Sequence, residues 1–223
     1  MNQQVKSGNQ TTMKDQSNKK QVFCTGKKLE FEIPSLNQVY ILLLKIAEAI
    51  KKSKYEPDII VGVSRGGWIP ARIMVDLLEN PKLANVATEY YLGVAESKQE
   101  PSITQSISIS VKDKKVLVVD DVADTGESLT LVKIHLKEQG ASEIRIATIY
   151  YKQWSVTIPQ YFAKETCLWI IFPWEQKEAA RKIIEKFEAE GITEEDAKEK
   201  LISSGLDKEL LERFITEVAE EKQ

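Results

Sequence analysis

An α/β fold, with a mostly parallel sheet flanked by helices and ligands held at the carboxyl ends of its strands, is predicted by two observations. Hydrophobic strand signals alternate with helical patterns along the chain. Tight turns of small residues follow two of those strands and lead into helix starts, at Ser64-Arg65-Gly66-Gly67 and at Asp124-Thr125-Gly126-Glu127-Ser128.

The 223 residues suffice for one sizeable core plus appendages. A net charge of −3 gives no basic face for nucleic acid or for an anionic membrane, so neither is expected as a partner. Phosphate binding, if present, has to be local. His135 is the only histidine, which excludes a histidine-based triad and a histidine-rich metal site; it is expected to be exposed on a helix. Cys24 and Cys167 are far apart and outside any metal spacing, as in a protein with reduced thiols. No apolar run has membrane-spanning length, and residues 1–22 lack a hydrophobic signal core. A cytoplasmic protein is expected. Residues 1–22, mostly Gln, Asn, Ser, Thr and Lys, are predicted to be a disordered tail.

Ser35-Leu36-Asn37-Gln38 is a capping-box pattern that predicts a helix through about Ser53, with Val39, Leu42, Leu43, Ile46, Ala49 and Ile50 at helical spacing. Residues 58–63 predict a buried strand. A helix follows to about Leu78, with Pro70 near its first turn. Residues 86–92 predict another strand, and Ile107, Ile109 and Val111, alternating with serine, its half-exposed partner. The polar residues 93–106 between them predict a long loop, of the kind that is usually functional or mobile.

Val116-Leu117-Val118-Val119 reads as a strand buried on both faces. Asp120 and Asp121 are expected where it emerges from the core, because carboxylates are costly inside. The next turn opens a helix carrying Leu129, Val132 and Leu136, which Gly140 stops. Residues 144–151 predict the next strand, with Lys152 directly at its end. Residues 166–175 combine a strand-like run with a Pro-Trp-Glu exit. Ala180, Ile183, Ile184 and Phe187 form a helical stripe that ends at Gly191; Thr193 and Asp207 read as N-caps of two further helices, Leu206 and Leu211 as a hydrophobic staple, and Leu211, Phe214, Ile215 and Val218 as the last apolar face.

The string from Val116 to Ser128 resembles the signature of type I phosphoribosyltransferases, in which two acids after an apolar strand precede a phosphate loop of the form D-T-G-x-T/S. The resemblance implies that Asp120 and Asp121 hold ribose hydroxyls, directly or through Mg²⁺. It implies that Thr125, Gly126, Glu127 and Ser128 hold the 5′-phosphate of phosphoribosyl pyrophosphate and that Asp124 takes a proton from the incoming base. A Glu127 carboxylate inside the cradle would repel phosphate, so its side chain is expected to point outward. Arg65-Gly66 resembles the pyrophosphate loop of 6-oxopurine phosphoribosyltransferases, where the peptide is often cis. In that family a loop at the position of 93–106 closes over the substrate, and a lysine placed like Lys152 contacts the exocyclic oxygen of the base. Trp169, Ile170 and Glu175 resemble the base-binding segment of bacterial and archaeal xanthine-guanine phosphoribosyltransferases; Trp169 would stack on the purine and the backbone of Ile170 would read its edge. Ile171 and Phe172 depart from the acidic and amide residues of the bacterial enzymes, which leaves open the substituent read at purine C2. Taken without the family, Lys152 reads as a solvated lysine, and Trp169 and Trp174 as core.

The resemblance covers residues 23–180 and implies the type I phosphoribosyltransferase fold with a small hood; 181–223 are a C-terminal helical extension. It implies an enzyme that transfers the phosphoribosyl group from phosphoribosyl pyrophosphate to hypoxanthine, guanine or xanthine, and a homo-oligomer, dimer or tetramer. Two alternatives stand beside it: a regulator that keeps the fold, senses the ligand and binds nucleic acid, and a transferase for another nucleobase.

Overall fold

The computed structural model describes residues 30–80, 82–92 and 99–221, so the predicted tail at 1–22 and the first part of the predicted loop, 93–98, lie outside it. In chain order the elements are β1 (Phe31–Glu32), α1 (Leu36–Lys52), β2 (Ile59–Ser64), α2 (Trp68–Leu77), β3 (Leu83–Leu92), β4 (Gln99–Gln105), β5 (Lys115–Ala123), α3 (Glu127–Glu138), β6 (Glu143–Tyr151), β7 (Tyr161–Glu165), β8 (Trp169–Ile170), α4 (Gln176–Ala189), α5 (Glu194–Ser203) and α6 (Lys208–Glu221). They fall into two compact units, residues 42–167 and residues 30–41 with 168–221.

The first unit is built on a six-stranded sheet of order β4-β3-β2-β5-β6-β7, parallel except for the β3–β4 pair. Its centre is β5, where Val116 to Val119 are at most 1% exposed. An apolar run buried this completely needs cover on both faces, which is what a central parallel strand requires. The chain leaves β2 through α2 towards β3 on one side, and leaves β5 through α3 towards β6 on the other. The strand order therefore reverses between β2 and β5. In open α/β sheets ligands bind at such a switch point, beyond the carboxyl ends of the strands.

The capping box at the start of α1 forms as predicted: the Ser35 N–H donates to Gln38 Oε1 at 2.7 Å and the Gln38 N–H to Ser35 Oγ at 3.2 Å. Other expectations need correction. The partner of β3 is Gln99–Gln105 and not 107–111, so most of the predicted loop beyond residue 98 is strand. β4 reads as polar because it is an edge strand with one neighbour, whereas Ile107 and Val111 reach the core from an irregular segment and Ile109 stays 40% exposed. Asp120 and Asp121 lie inside β5, which continues to Ala123 because β6 pairs with it that far. The run at 166–172 supplies only the two-residue β8, limited by its equally short partner β1. β7 was not predicted; it pairs parallel with β6. His135 is half-buried, its Nε2 3.0 Å from Ser106 Oγ.

At the amino edge of this sheet a polar cluster ties the segment after α1 to β6 and β7. Arg145 donates to the Tyr161 hydroxyl at 2.6 Å and pairs with Glu143 at 2.7 Å, and its guanidinium lies 4.2 Å from the centre of the Tyr55 ring. The buried Tyr55 hydroxyl donates to the Val116 carbonyl at 2.9 Å, and burial pushes its titration well above the usual phenol range.

The second unit pairs β1 with β8 in parallel and packs α4, α5 and α6 around Phe31, Ile171, Ile183, Phe187, Leu201, Leu206 and Leu211. Gly191, with φ of 75°, ends the α4 turn; Thr193 caps α5 by accepting from the Asp196 N–H at 3.2 Å, and Asp207 caps α6 by accepting from the Leu210 N–H at 2.9 Å. Leu206 and Leu211, the predicted staple, are both buried. Among the described residues no helix is long and apolar enough to cross a membrane.

Arg145→Ala removes donors from a partly buried network and is expected to lower unfolding free energy by about 1–3 kcal/mol. Urea denaturation of the two proteins measures it.

Candidate active site

The turns after β2, β5 and β6 are adjacent because those three strands are neighbours. After β2 the Ser64–Arg65 peptide is cis, and the Gly67 N–H returns to the Val63 carbonyl at 2.8 Å. This turn lies directly on β5. A Cβ on Gly67 would stand 2.4 Å from the Val119 carbonyl oxygen, and one on Gly66 would stand 1.9 Å from Asp121 Oδ2. Glycine at both positions is thus a packing requirement, and it sets the Arg65 backbone beside the two acids.

Asp120 is half-buried and Asp121 8% exposed. Each acid binds the backbone just ahead of it: Asp120 Oδ1 accepts from the Asp121 N–H at 2.9 Å, and Asp121 Oδ1 from the Val122 N–H at 2.7 Å. Burial, and then the neighbouring Asp121 charge, push the Asp120 carboxyl well above the ordinary range. A cation or hydroxyl donors at this point would relieve that repulsion. Among the described residues no group of three or more His, Cys, Asp or Glu side chains could hold a metal ion. Mg²⁺ is usually held by one or two carboxylates with the remaining positions filled by substrate oxygens and water, so the Asp120–Asp121 pair fits it as a partial ligand set.

The turn after β5 runs Asp124, Thr125, Gly126 into α3. Gly126 occupies the N-cap with φ of 77°, where it cannot offer a side-chain cap. A Cβ there would lie 2.3 Å from Ser155 Oγ and 2.6 Å from the Thr157 nitrogen. The Gly126 carbonyl accepts from the Thr130 N–H at 3.0 Å and from the hydroxyls of Thr130 and Thr157 at 2.9 and 3.0 Å. This fixes the loop from behind, while the first N–H groups of α3 lack intrahelical acceptors and favour an anion. Glu127 is half-buried at the first helical position, with its N–H on Thr125 Oγ1 at 3.3 Å.

Lys152 is 4% exposed, so it is not the solvated lysine that its sequence context alone suggests. Its N–H donates to the Ala123 carbonyl at 3.0 Å, which carries the β5–β6 ladder to the start of the acidic turn.

Arg65, Gly66, Asp120, Asp121, Asp124 to Ser128 and Lys152 thus belong to one unit and to adjacent strand ends. Trp169, Ile170 and Glu175 belong to the second unit. There Trp169 is 52% exposed, which separates it from the core, and Ile170 is buried. Glu175 Oε1 accepts from the Phe172 N–H at 3.3 Å, and Trp174 stacks on Phe172 with centroids 4.8 Å apart.

Two residues at the site escaped the sequence reading. Tyr90, on β3, sets its hydroxyl 3.4 Å from Thr125 Oγ1 and accepts from Ser128 Oγ at 3.2 Å. Trp154 donates its indole N–H to Asp124 Oδ1 at 2.9 Å. The signal available for Trp154 was an aromatic donor two residues after Lys152; for Tyr90 it was only a place on a strand.

The sheet, its switch point and the two loops define a phosphoribosyl transferase domain, whose family model matches residues 32–181, and the chain belongs to that family. It is similar to the purine phosphoribosyltransferase of Pyrococcus horikoshii, 36% identical with a TM-score of 0.60, over 66% of this chain and 94% of that one. The hypoxanthine-guanine phosphoribosyltransferase of Saccharomyces cerevisiae is 29% identical over 128 residues, 50% of this chain and 57% of that protein. The xanthine-guanine phosphoribosyltransferase of Idiomarina loihiensis is 27% identical over 118 residues, 52% of this chain and 70% of that protein. The chain therefore spans little more than half the length of the yeast relative.

Two outcomes follow from this geometry. Gly126→Ala is expected to cost at least ~1 kcal/mol for a left-handed non-glycine residue, before overlap with Ser155 and Thr157 is counted; chemical denaturation reads it. Because the Asp120 carboxyl is raised in the folded state, the native protein holds its proton more tightly than the unfolded chain does. The associated stability is full below the unfolded carboxylate value and is lost as pH rises through the raised native value. Metal-free Asp120→Asn should show a flatter decline and a higher Tm at neutral pH in thermal scans across pH.

Proposed function

We propose that this protein transfers the 5-phosphoribosyl group from phosphoribosyl pyrophosphate to a 6-oxopurine, giving the nucleoside monophosphate and pyrophosphate. The observation that carries this reading is the meeting, at one switch point, of the Gly126 loop, the paired acids and the Arg65-Gly66 turn, with buried Lys152 at the next strand end. The names of the relatives support a purine as acceptor. In this reading residues 23–180 carry the transferase and 181–223 are a helical extension.

The residues divide the work by charge. The bond from C1′ to the pyrophosphate oxygen breaks, the purine nitrogen bonds to C1′ from the opposite face, and the proton of that nitrogen passes to Asp124. Thr125, Gly126, Glu127 and Ser128 hold the 5′-phosphate, chiefly through backbone N–H groups, and Asp120 and Asp121 hold the ribose hydroxyls. Arg65 and the Gly66 N–H offset charge on the departing pyrophosphate, where preorganised electrostatics contribute most. Asp120 and Asp121 would hold Mg²⁺, which would supply further positive charge to the pyrophosphate substrate. Lys152 donates to the exocyclic oxygen of the base; by family resemblance Trp169 stacks on the purine, Ile170 reads its edge through the backbone, and Glu175 belongs to the same segment. A cytoplasmic setting and a homo-oligomer, dimer or tetramer, complete the reading.

The test is a purified-protein assay with phosphoribosyl pyrophosphate, Mg²⁺ and, separately, hypoxanthine, guanine, xanthine, adenine, uracil and orotate. Turnover is expected with one or more of the first three. Binding of the pyrophosphate substrate without turnover of any base would overturn the proposal and favour the regulator. Asp124→Asn should reduce kcat by about 10²- to 10⁴-fold with substrate affinity little changed, as for loss of a general base. Lys152→Ala should raise the purine KM or reorder the bases.

A further inference from the structure

We infer that Trp154 is a positioning residue that holds Asp124 and Lys152 in one arrangement, so that the group accepting the proton and the group reading the base act on the same purine. The inference rests on the transferase reading above and adds to it a residue that neither the family signature nor the sequence singled out.

Trp154 touches both partners with different parts of one side chain. Its indole N–H donates to Asp124 Oδ1 at 2.9 Å, and its ring lies 5.3 Å from Lys152 Nζ, within cation–π range. The half-buried indole is fixed relative to Asp124 by the main chain. The Lys152 N–H donates to the Ala123 carbonyl at 3.0 Å, and the Val156 N–H donates to the Thr125 carbonyl at 2.8 Å. These bonds clip the segment bearing Trp154 to the residues on either side of Asp124. Between them, the Ser155 N–H closes on the Lys152 carbonyl at 2.9 Å and Ser155 Oγ donates to the Thr157 carbonyl at 2.9 Å. The segment is therefore a tight turn whose ends are tied to the acidic loop.

The chemistry of indole suits this position. Asp124 is exposed, and an exposed carboxylate rotates and presents either oxygen. A donor fixed on Oδ1 sets its plane and leaves Oδ2 to take the proton. An indole N–H is neutral and can only donate, so it orients the carboxylate without the charge neutralisation that Arg or Lys would impose on a base. The ring meanwhile offers the Lys152 ammonium a surface that competes little with a carbonyl oxygen for its three donors.

Two variants and one acid-free background test this. Trp154→Phe keeps a ring and deletes the N–H; it should reduce kcat about 10-fold, less than the roughly 10²-fold or more that loss of the base itself costs, with both KM values within ~2-fold. Trp154→Leu deletes ring and N–H and should in addition raise the purine KM several-fold. In an Asp124→Ala background, single-turnover measurement should find that Trp154→Phe costs nothing further, because the N–H acts through that carboxylate. An equal loss in both backgrounds, or no loss in the wild-type background, overturns the inference.

A readout independent of turnover keeps the contact itself testable. In ¹⁵N-labelled protein the Trp154 indole resonance, assigned by its disappearance in Trp154→Phe, should shift on Asp124→Ala while the other indole resonances hold. An unmoved resonance overturns the inference even in an active enzyme. Wild type inactive with every base, together with a shifted resonance, instead overturns the transferase reading and leaves the contact standing.

Discussion

The turn after β2 rests on β5 at a separation that admits hydrogen atoms and no methyl group. Much of the site depends on that approach. Gly67 lies against the Val119 carbonyl and the Asp120 backbone, Gly66 against the Asp121 carboxylate, and Gly62 against Ala71 at the start of α2. Three glycines thus let a strand, a turn and a helix N-terminus crowd onto the end of the central strand. β2 stops pairing with β5 after Gly62 meets Val119, whereas β6 continues to Ala123. The side of β5 that β2 abandons is the side the Arg65-Gly66-Gly67 turn occupies, and there the two acids come to lie beside a cation-bearing loop.

That crowding has an electrostatic consequence. Two adjacent carboxylates in a strand, one of them nearly buried, repel each other and lose hydration, a state that costs free energy unless a ligand or ion offsets it. The remainder of the unit carries the burden with features that need no ligand: the fully buried Val116–Val119 centre, and the Arg145, Tyr161, Tyr55 cluster at the other end of the strands. Stability sits at the amino edge and in the middle, and the paired acids at the carboxyl edge, where an open α/β sheet holds its ligands.

How far the fold was legible follows from where each signal lies. The Val116–Val119 strand, the Gly126 turn, the Ser35 capping box and the caps at Thr193 and Asp207 were readable because each is specified by neighbours in sequence. The assignment of 107–111 as a strand failed because alternation also arises when an irregular segment sends every fourth residue into a core. β7 was invisible because five residues with mixed exposure carry no period. The burial of Lys152, which the family resemblance had already placed at the base, and the role of Trp154 were hidden for a different reason. Their burial and contacts depend on the return of 152–156 onto 123–125, a tertiary pairing made by two backbone hydrogen bonds that no side-chain pattern encodes.

Edge strand β4 carries Pro101 opposite Tyr90. Proline has no amide hydrogen, so the β4 margin of this sheet is an interrupted template for an added strand, while the β7 margin carries no proline. At that β4 margin a single ring thus breaks the row of donors on which an added strand would build.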